Sequence, residues 1–148
     1  MTGPQSPAFE DDDDDLPEAV RKAQEAVAAL ADNFTDWMRS DLKSALASLA
    51  KAKDGLPDNA SDIRDIYAVC HNIKGQGGSF GYELITDVGK SLCDYIHDAG
   101  PASEKKLKVV EAHLTAIKFI LDRDIQGDGG DVGKQLQAKL QSLTEANA

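Results

Sequence analysis

Basic residues, cysteines and long apolar runs are all scarce in this sequence, and each shortage excludes a class of protein. Lys and Arg number 16 against 26 Asp and Glu, a formal charge of −10, which argues against nucleic acid or an anionic membrane as partner. No run approaches the roughly 18 apolar residues of a membrane span, and the acidic N-terminus does not resemble a signal peptide. Two cysteines are too few for a disulfide framework. We therefore expect a cytoplasmic protein of one domain, with 41% hydrophobic residues available for its core.

The negative charge is concentrated at the N-terminus. Residues 1–15 hold Glu10 and the run from Asp11 to Asp15 without any Lys or Arg, so −6 of the net −10 lies there. This segment has almost nothing to bury, which predicts a disordered acidic tail. Clustered carboxylates without fixed geometry bind divalent cations weakly, so a solvated tail is favoured over a cation site.

The rest of the chain has the apolar spacing of amphipathic helices, with no alternating segment typical of a strand. The first stripe runs from Leu16 to about Lys53, and Asp32-Asn33 leaves open whether it forms one helix or two. Ser103 is expected to cap a later helix. The other predicted helices are 61–79, 82–97 and about 131–145, and the aromatic residues expected in the core are Phe34, Trp37 and Phe80.

Short loops between amphipathic helices predict an all-α fold, an antiparallel four-helix bundle core with additional N- and C-terminal helical segments. The expected organisation is a tail over 1–15, a bundle over 16–126, and a C-terminal loop and helix over 127–148. Whether that last helix packs on the bundle stays open at this point.

The second predicted helix has an unusual polar face. On a helical wheel Ile66, Val69 and Ile73 form the buried stripe, and His71 lies on the opposite side, facing water. The residues predicted beside His71 are Arg64, Tyr67, Lys74, Gly75, Gly78 and Tyr82. Glycine in a helix costs about 1 kcal/mol relative to alanine, and core packing does not require Gly75 or Gly78, which favours a surface that a partner approaches closely.

An exposed imidazole next to a lysine points to phosphoryl transfer. Imidazole is a good nucleophile at neutral pH, and Lys74, one turn on, can offset the charge of a phosphoryl group on His71. The sequence has no glycine-rich nucleotide loop of the P-loop or kinase type. His71 is therefore predicted to carry phosphate that a partner supplies, and the chain is not expected to be an enzyme.

The segment Cys70-His-Asn-Ile-Lys-Gly-Gln-Gly-Gly-Ser-Phe-Gly81 resembles the motif of histidine-containing phosphotransfer domains: His, two residues, Lys-Gly, five residues, Gly. The resemblance is strong over about 25 residues and extends in helix pattern over roughly 30–125. Two positions depart from it, Gln76 where a small residue is common and Cys93 where an acid often follows leucine, which bears on partner choice more than on activity.

The resemblance implies a helical bundle that relays phosphate between response-regulator receiver domains, charged through a hybrid histidine kinase. By this resemblance His71 accepts the phosphoryl group on Nε2 from a receiver aspartate, Lys74 positions it, and Gly75 and Gly78 give the receiver room. A bulky residue at Gly78 is expected to weaken docking more than it alters the fold. Mg²⁺ belongs to the receiver, and no cofactor is expected on this chain.

Two alternatives remain open, an interaction module that binds or sequesters a receiver or a kinase without carrying phosphate, and a carrier charged directly by a chemotaxis-type kinase. Hydrolysis is disfavoured because no nucleophile, base and orienting group stand together. His97 is interpreted as a helix-end residue and His113 as a residue at the core boundary. With no Cys-x-x-Cys pair, Cys70 and Cys93 are expected to be free, mostly buried thiols and not zinc ligands.

Overall fold

The computed structural model describes residues 15–98 and 100–147, with side chains from residue 17 onward. Within these ranges the chain forms α-helices and one short 3-10 helix, and it has no strand, so the all-α prediction is confirmed. The helices are α1 (Asp15–Asp54), α2 (Ala60–Gly77), α3 (Glu83–Ile96), α4 (Glu104–Asp122) and α5 (Gly130–Ala146), with the 3-10 turn at Gly78–Phe80. The acidic tail predicted for residues 1–15 falls outside the described residues, except that Asp15 begins α1.

The chain divides into two compact units, residues 1–35 and residues 36–148. The described part of the first unit is helical and belongs to α1, which continues through Asp32-Asn33 without a break. In this unit Arg21 forms ion pairs with Glu18 and Glu25, three and four residues away, at 2.5 and 2.6 Å. The second unit contains residues 36–54 of α1 and all of α2 to α5.

Within the second unit, four helices form an antiparallel arrangement. Arg39 pairs with Asp122 at 2.7 Å and Lys53 with Glu111 at 2.9 Å, so α1 and α4 run in opposite directions. α2 and α3 make the most extensive helix pair, and α3 also packs on α4. The buried core consists of Met38, Leu42, Ala45, Leu49, Ile63, Ile66, Ile73, Leu84, Ile85, Val88, Leu92, Ile96, Leu107, Val110, Leu114 and Ile117.

One buried side chain joins two loops at an end of this bundle. Asn59, 1% exposed, donates from Nδ2 to the carbonyls of Ala52 and Ala102 and accepts the Ala102 amide on Oδ1 at 2.8 Å. The α1–α2 and α3–α4 loops are therefore tied together. At the start of α4 the Ser103 hydroxyl accepts the Lys106 amide, which confirms the predicted helix cap.

The aromatic core prediction was wrong for Trp37. Its side chain is 54% exposed, whereas Met38, the next residue, is 1% exposed. The buried stripe of α1 within the second unit passes through Met38, Leu42 and Ala45, and Trp37 is rotated about 100° away from Met38. Phe34 is buried and Phe80 is half-buried.

The C-terminal helix packs on the bundle, which answers the question that the sequence left open. Leu140 of α5 is 6% exposed, and the Tyr95 hydroxyl of α3 donates to the Asn147 carbonyl at 2.9 Å. Gly133 is required where α5 begins, because a Cβ there would lie 2.1 Å from the Asp128 carbonyl oxygen. No helix among the described residues is long and apolar enough to cross a membrane.

His113 lies fully inside the bundle, deeper than the boundary position expected from the sequence. Its Nδ1 lies 2.8 Å from the Val109 carbonyl and its Nε2 lies 2.9 Å from Ser91 Oγ. A carbonyl only accepts, so neutral His113 holds its proton on Nδ1, and the Ser91 hydroxyl donates to Nε2. Burial lowers the pKa of His113, and the hydrogen bond to Val109 partly opposes that change.

The free energy of unfolding is therefore expected to fall in mild acid. The unfolded chain binds the proton near pH 6.5, whereas folded His113 resists it, so its contribution is complete above about pH 6.5 and is lost as the pH falls toward the folded pKa. The slope is at most about 1.4 kcal/mol per pH unit. Urea unfolding at pH 7.5 and at pH 5.5, in one buffer series, measures this change in the free energy of unfolding.

The matched control separates His113 from the other titrating groups. His113→Gln is expected to lose less stability than the wild type between the two pH values, whereas His97→Gln, at an exposed position, keeps the wild-type loss. The same loss in wild type and His113→Gln would contradict the assignment to His113.

Candidate functional site

His71 lies on the exposed face of α2, in the orientation that its position on the helix predicts. Its ring stacks with that of Tyr67, four residues earlier, with centroids 6.2 Å apart and an interplanar angle of 15°. Within the described residues, no side chain or backbone group forms a hydrogen bond to either imidazole nitrogen. The imidazole ring is thus exposed and stacked on a neighbouring aromatic ring.

Two basic side chains share this face of α2. Lys74 is one turn beyond His71 and half-buried, and Arg64 is two turns before it and exposed. Lys74 also lies close to α3, since a Cβ at Gly89 would come within 3.2 Å of the Lys74 amide nitrogen. The positive charge of Lys74 helps to lower the pKa of Asp94, after the larger effect of the Lys90 hydrogen bond. The face around His71 therefore offers positive charge on an otherwise acidic protein.

Beyond Lys74 the surface is almost bare backbone. Gly75 and Gly78 are both exposed, and a Cβ built at Gly75 would meet no atom within 4 Å. A Cβ at Gly78 would approach Thr86 Oγ1 only to 3.7 Å, an ordinary contact. The fold has space for a side chain at both positions, so packing within the described residues does not explain why they are glycine.

Gly77 is different, because the fold requires it. A Cβ there would lie 2.6 Å from Thr86 Oγ1 and 2.9 Å from the Tyr82 carbonyl oxygen, closer than such atoms approach. The residue is buried where α2 meets the start of α3. Gly81 is required for a different reason. It ends the 3-10 turn with a φ of 86°, a left-handed value that favours glycine.

Thr86 is a positioning residue that sequence reasoning missed. Its hydroxyl donates to the Lys74 carbonyl at 3.0 Å and accepts the Gly78 amide at 2.7 Å. Lys74 and Gly78 are four residues apart, so an uninterrupted helix would pair these two groups directly. The Thr86 hydroxyl from α3 thus holds the end of α2 that carries Lys74. Because Thr86 is 12 residues from Lys74 in sequence, local spacing gives no signal of this contact.

Gly89 is a second missed residue. A Cβ at this position of α3 would come within 3.2 Å of the Lys74 amide nitrogen and 3.3 Å of its Cα. α3 therefore packs directly on the backbone of α2 behind Lys74. Gly89 is four residues after Ile85 and three before Leu92, which are both buried, so helical spacing indicates only that Gly89 is on the buried face and not which backbone it faces.

The structure corrects the position of Tyr82, which was expected at the edge of the His71 face. Its side chain is 5% exposed, and its hydroxyl donates to Asp124 Oδ1 at 2.5 Å. Tyr82 follows the 3-10 turn and Gly81, so the angular count along α2 no longer applies to it. Tyr67 remains on the face and is half-buried.

Neither cysteine resembles a reactive or metal-binding residue. Cys70 and Cys93 are free and buried, as predicted. Burial raises the pKa of both thiols, and the negative charge of Cys93 adds to the effect at Cys70. Gln76, which departs from the motif, is exposed. Within the described ranges, no cluster of three His, Cys, Asp or Glu side chains is arranged to hold a metal ion.

Two grooves in the second unit lie elsewhere. One, of about 820 Å³, lies between α3 and α5 and is lined by Ser91, Tyr95 and Leu140 among others. The second, of about 600 Å³, is apolar and lies between α4 and α5 beside Phe119. His71 and Lys74 line neither groove. The His71 face is an open surface, which suits contact with another macromolecule better than enclosure of a small substrate.

The chain was compared with protein-family models, with curated proteins and with solved structures, and no significant match was found in any of the three.

Gly77→Ala is expected to lower the free energy of unfolding by about 1–3 kcal/mol, the usual cost of forcing extra atoms into a packed site. Urea unfolding at neutral pH measures it. Gly75→Ala is the matched control, because the same methyl group enters open space, and it is expected to stabilise α2 by up to about 1 kcal/mol. Equal stabilities of Gly77→Ala and the wild type would contradict this account of Gly77.

Proposed function

We propose that this protein is a histidine phosphotransfer protein of a multistep phosphorelay. His71 accepts a phosphoryl group from the phosphorylated aspartate of one receiver domain and passes it to the aspartate of another. The chain belongs, in this proposal, with the histidine-containing phosphotransfer domains that its His71 motif resembles. The single observation that carries the proposal is the exposed, unbonded His71 imidazole, with Lys74 one turn away and the bare backbone of Gly75 and Gly78 beyond it.

The chemistry needs little from this chain. The Nε2 lone pair of neutral His71 attacks phosphorus in line, the bond from phosphorus to the aspartyl oxygen breaks, and the carboxylate leaves on the receiver. Nδ1 keeps its proton, so no base is required on the carrier. The lysine ammonium of Lys74 stabilises charge on the phosphoryl oxygens as they cross.

The receiver is proposed to supply what His71 lacks. Its acidic pocket and its Mg²⁺ hold the phosphoryl group, and its surface must come close to α2 for in-line transfer. Gly75 and Gly78 permit that approach, because a side chain at either position would stand between the two surfaces. The positive charge of Arg64 and Lys74 complements an acidic receiver surface and speeds encounter.

The test is transfer of radiolabelled phosphate from purified phosphorylated receiver domains, one receiver at a time. We expect label on this chain within seconds to minutes from its cognate receiver, as a phosphohistidine that is labile in acid and stable in base. Incubation with a chemotaxis-type kinase and ATP, without any receiver, provides the competing donor. Failure of every cognate receiver to label correctly folded protein would overturn the proposal, and label from the kinase alone would support a carrier of the other type.

A further inference from the structure

The first half of α1 exposes an apolar stripe. Val20, Val27 and Leu30 are 45%, 64% and 52% exposed. A helix in water gains little from its own backbone, and most helices are stabilised by packing of an apolar face. A stripe of large apolar residues left in solvent over about three turns therefore indicates a surface that another molecule covers.

The stripe has the heptad spacing of a coiled coil. Counting from Val20 as position a, the a and d positions are Val20, Ala23, Val27 and Leu30, and the next a position is Phe34, which is 0% exposed and closes the open seam. A repeat of 3.5 residues keeps one seam facing a partner helix over several turns, whereas a helix packed on a globular core shows a wider stripe of period 3.6. The open seam ends at the buried Phe34, and the later a and d positions Asp41 and Ser44 are polar.

The charges of the same segment avoid the seam. All charged residues between 18 and 36 stand at the outer b, c and f positions, namely Glu18, Arg21, Lys22, Glu25, Asp32 and Asp36. The flanking e and g positions from 19 to 33 hold alanine, glutamine and asparagine. Like charges facing each other at e and g repel in an identical pair, so a seam without charges there places no electrostatic barrier against an identical helix.

We infer that residues 18–33 form a coiled coil with the same segment of a second copy of this chain. Self-association covers Val20, Val27 and Leu30 of both copies, and no like charges meet at the seam. The inference does not depend on phosphoryl transfer, because the residues that carry it lie on α1 and the proposed phosphate site lies on α2.

Sedimentation equilibrium of the full chain tests it, over about 1–200 µM protein at about 0.15 M salt. The wild type is expected to show a monomer–dimer equilibrium within this range. Val27→Gln with Leu30→Gln keeps helix propensity and charge but removes four apolar side chains from the dimer. It is expected to raise the dissociation constant at least about 100-fold, which leaves a monomer throughout.

The control places the same two glutamines on the outer face, as Ala28→Gln with Ala29→Gln at positions b and c. This variant is expected to dimerise within about threefold of the wild type. A wild type that stays monomeric to the highest concentration, or an assembly that Val27→Gln/Leu30→Gln leaves intact, would overturn the inference. Phosphoryl labelling of His71 in the two variants tests the proposed function separately. A failure of self-association can therefore be told apart from a failure of phosphoryl transfer.

Discussion

His71→Gln is expected to abolish phosphoryl acceptance while the protein folds normally. Glutamine is polar and similar in length, but its amide nitrogen has no available lone pair, so no phosphoramidate forms. We expect labelling from a phosphorylated receiver to fall at least about 1000-fold, to background, because the nucleophile itself is removed. His71 is exposed, and a surface substitution of this kind changes the free energy of unfolding by no more than about 0.5 kcal/mol.

The control is His97→Gln, because His97 is the other exposed histidine of the described chain. It lies at the end of α3, where its Nδ1 contacts the Asp94 carbonyl and its Nε2 lies 3.0 Å from Asp98. This variant is expected to be labelled like the wild type. Label that survives His71→Gln and disappears in His97→Gln would place the acceptor on the wrong helix and overturn the proposed function.

His71→Gln also distinguishes a phosphate carrier from a module that only binds and sequesters a receiver. If the protein only binds a receiver, His71→Gln retains receiver affinity and also retains the signalling output of the wild type. If it carries phosphate, affinity for the receiver changes little while output is lost. Isothermal titration with an unphosphorylated receiver, together with a reporter of the pathway, distinguishes the two outcomes.

Gly75→Leu is expected to weaken receiver docking at least about 10-fold without harming the fold. The side chain enters space where the fold places no atom within 4 Å, so the clash arises only when another surface covers α2. A tenfold loss corresponds to about 1.4 kcal/mol of binding free energy. Leucine is also a better helix former than glycine, so the free energy of unfolding should rise by about 0.5–1 kcal/mol.

Opposite signs for stability and docking make this prediction specific. Ala138→Leu on α5 is the matched control, since it adds a leucine at another exposed helical position, and it is expected to leave docking unchanged. Titration with a receiver and urea unfolding measure the two effects on the same samples. Wild-type affinity in Gly75→Leu would remove the argument that this glycine provides clearance.

The local features of the fold were predictable because they depend on neighbours in sequence. Apolar spacing gave the helical class, Ser103 gave the start of α4, and the wheel around Ile66 and Ile73 placed His71 outside. Each of these follows from the 3.6-residue period or from a cap within one turn. The phosphotransfer prediction likewise comes mainly from local spacing, that of the motif at residues 70–81.

The errors occurred where the regular period stops or where two possible stripes share one helix. Tyr82 was misplaced because the turn at Gly78–Phe80 and the left-handed Gly81 reset the angular count. Trp37 was misplaced because Trp37 and Met38 are adjacent apolar residues, and the buried stripe of α1 in the second unit passes through Met38. A single sequence does not show which of two adjacent apolar residues faces the bundle.

The sequence by itself determined that this is an acidic, helical protein with one histidine face unlike the rest of its surface. Tertiary structure alone decided which glycines serve packing and which do not. Gly75 and Gly77 stand two residues apart in one motif, yet only Gly77 meets Thr86 and the Tyr82 carbonyl from α3 and the turn before it. The reason is physical: backbone clearance depends on atoms that are distant in sequence, and local spacing carries no record of their approach.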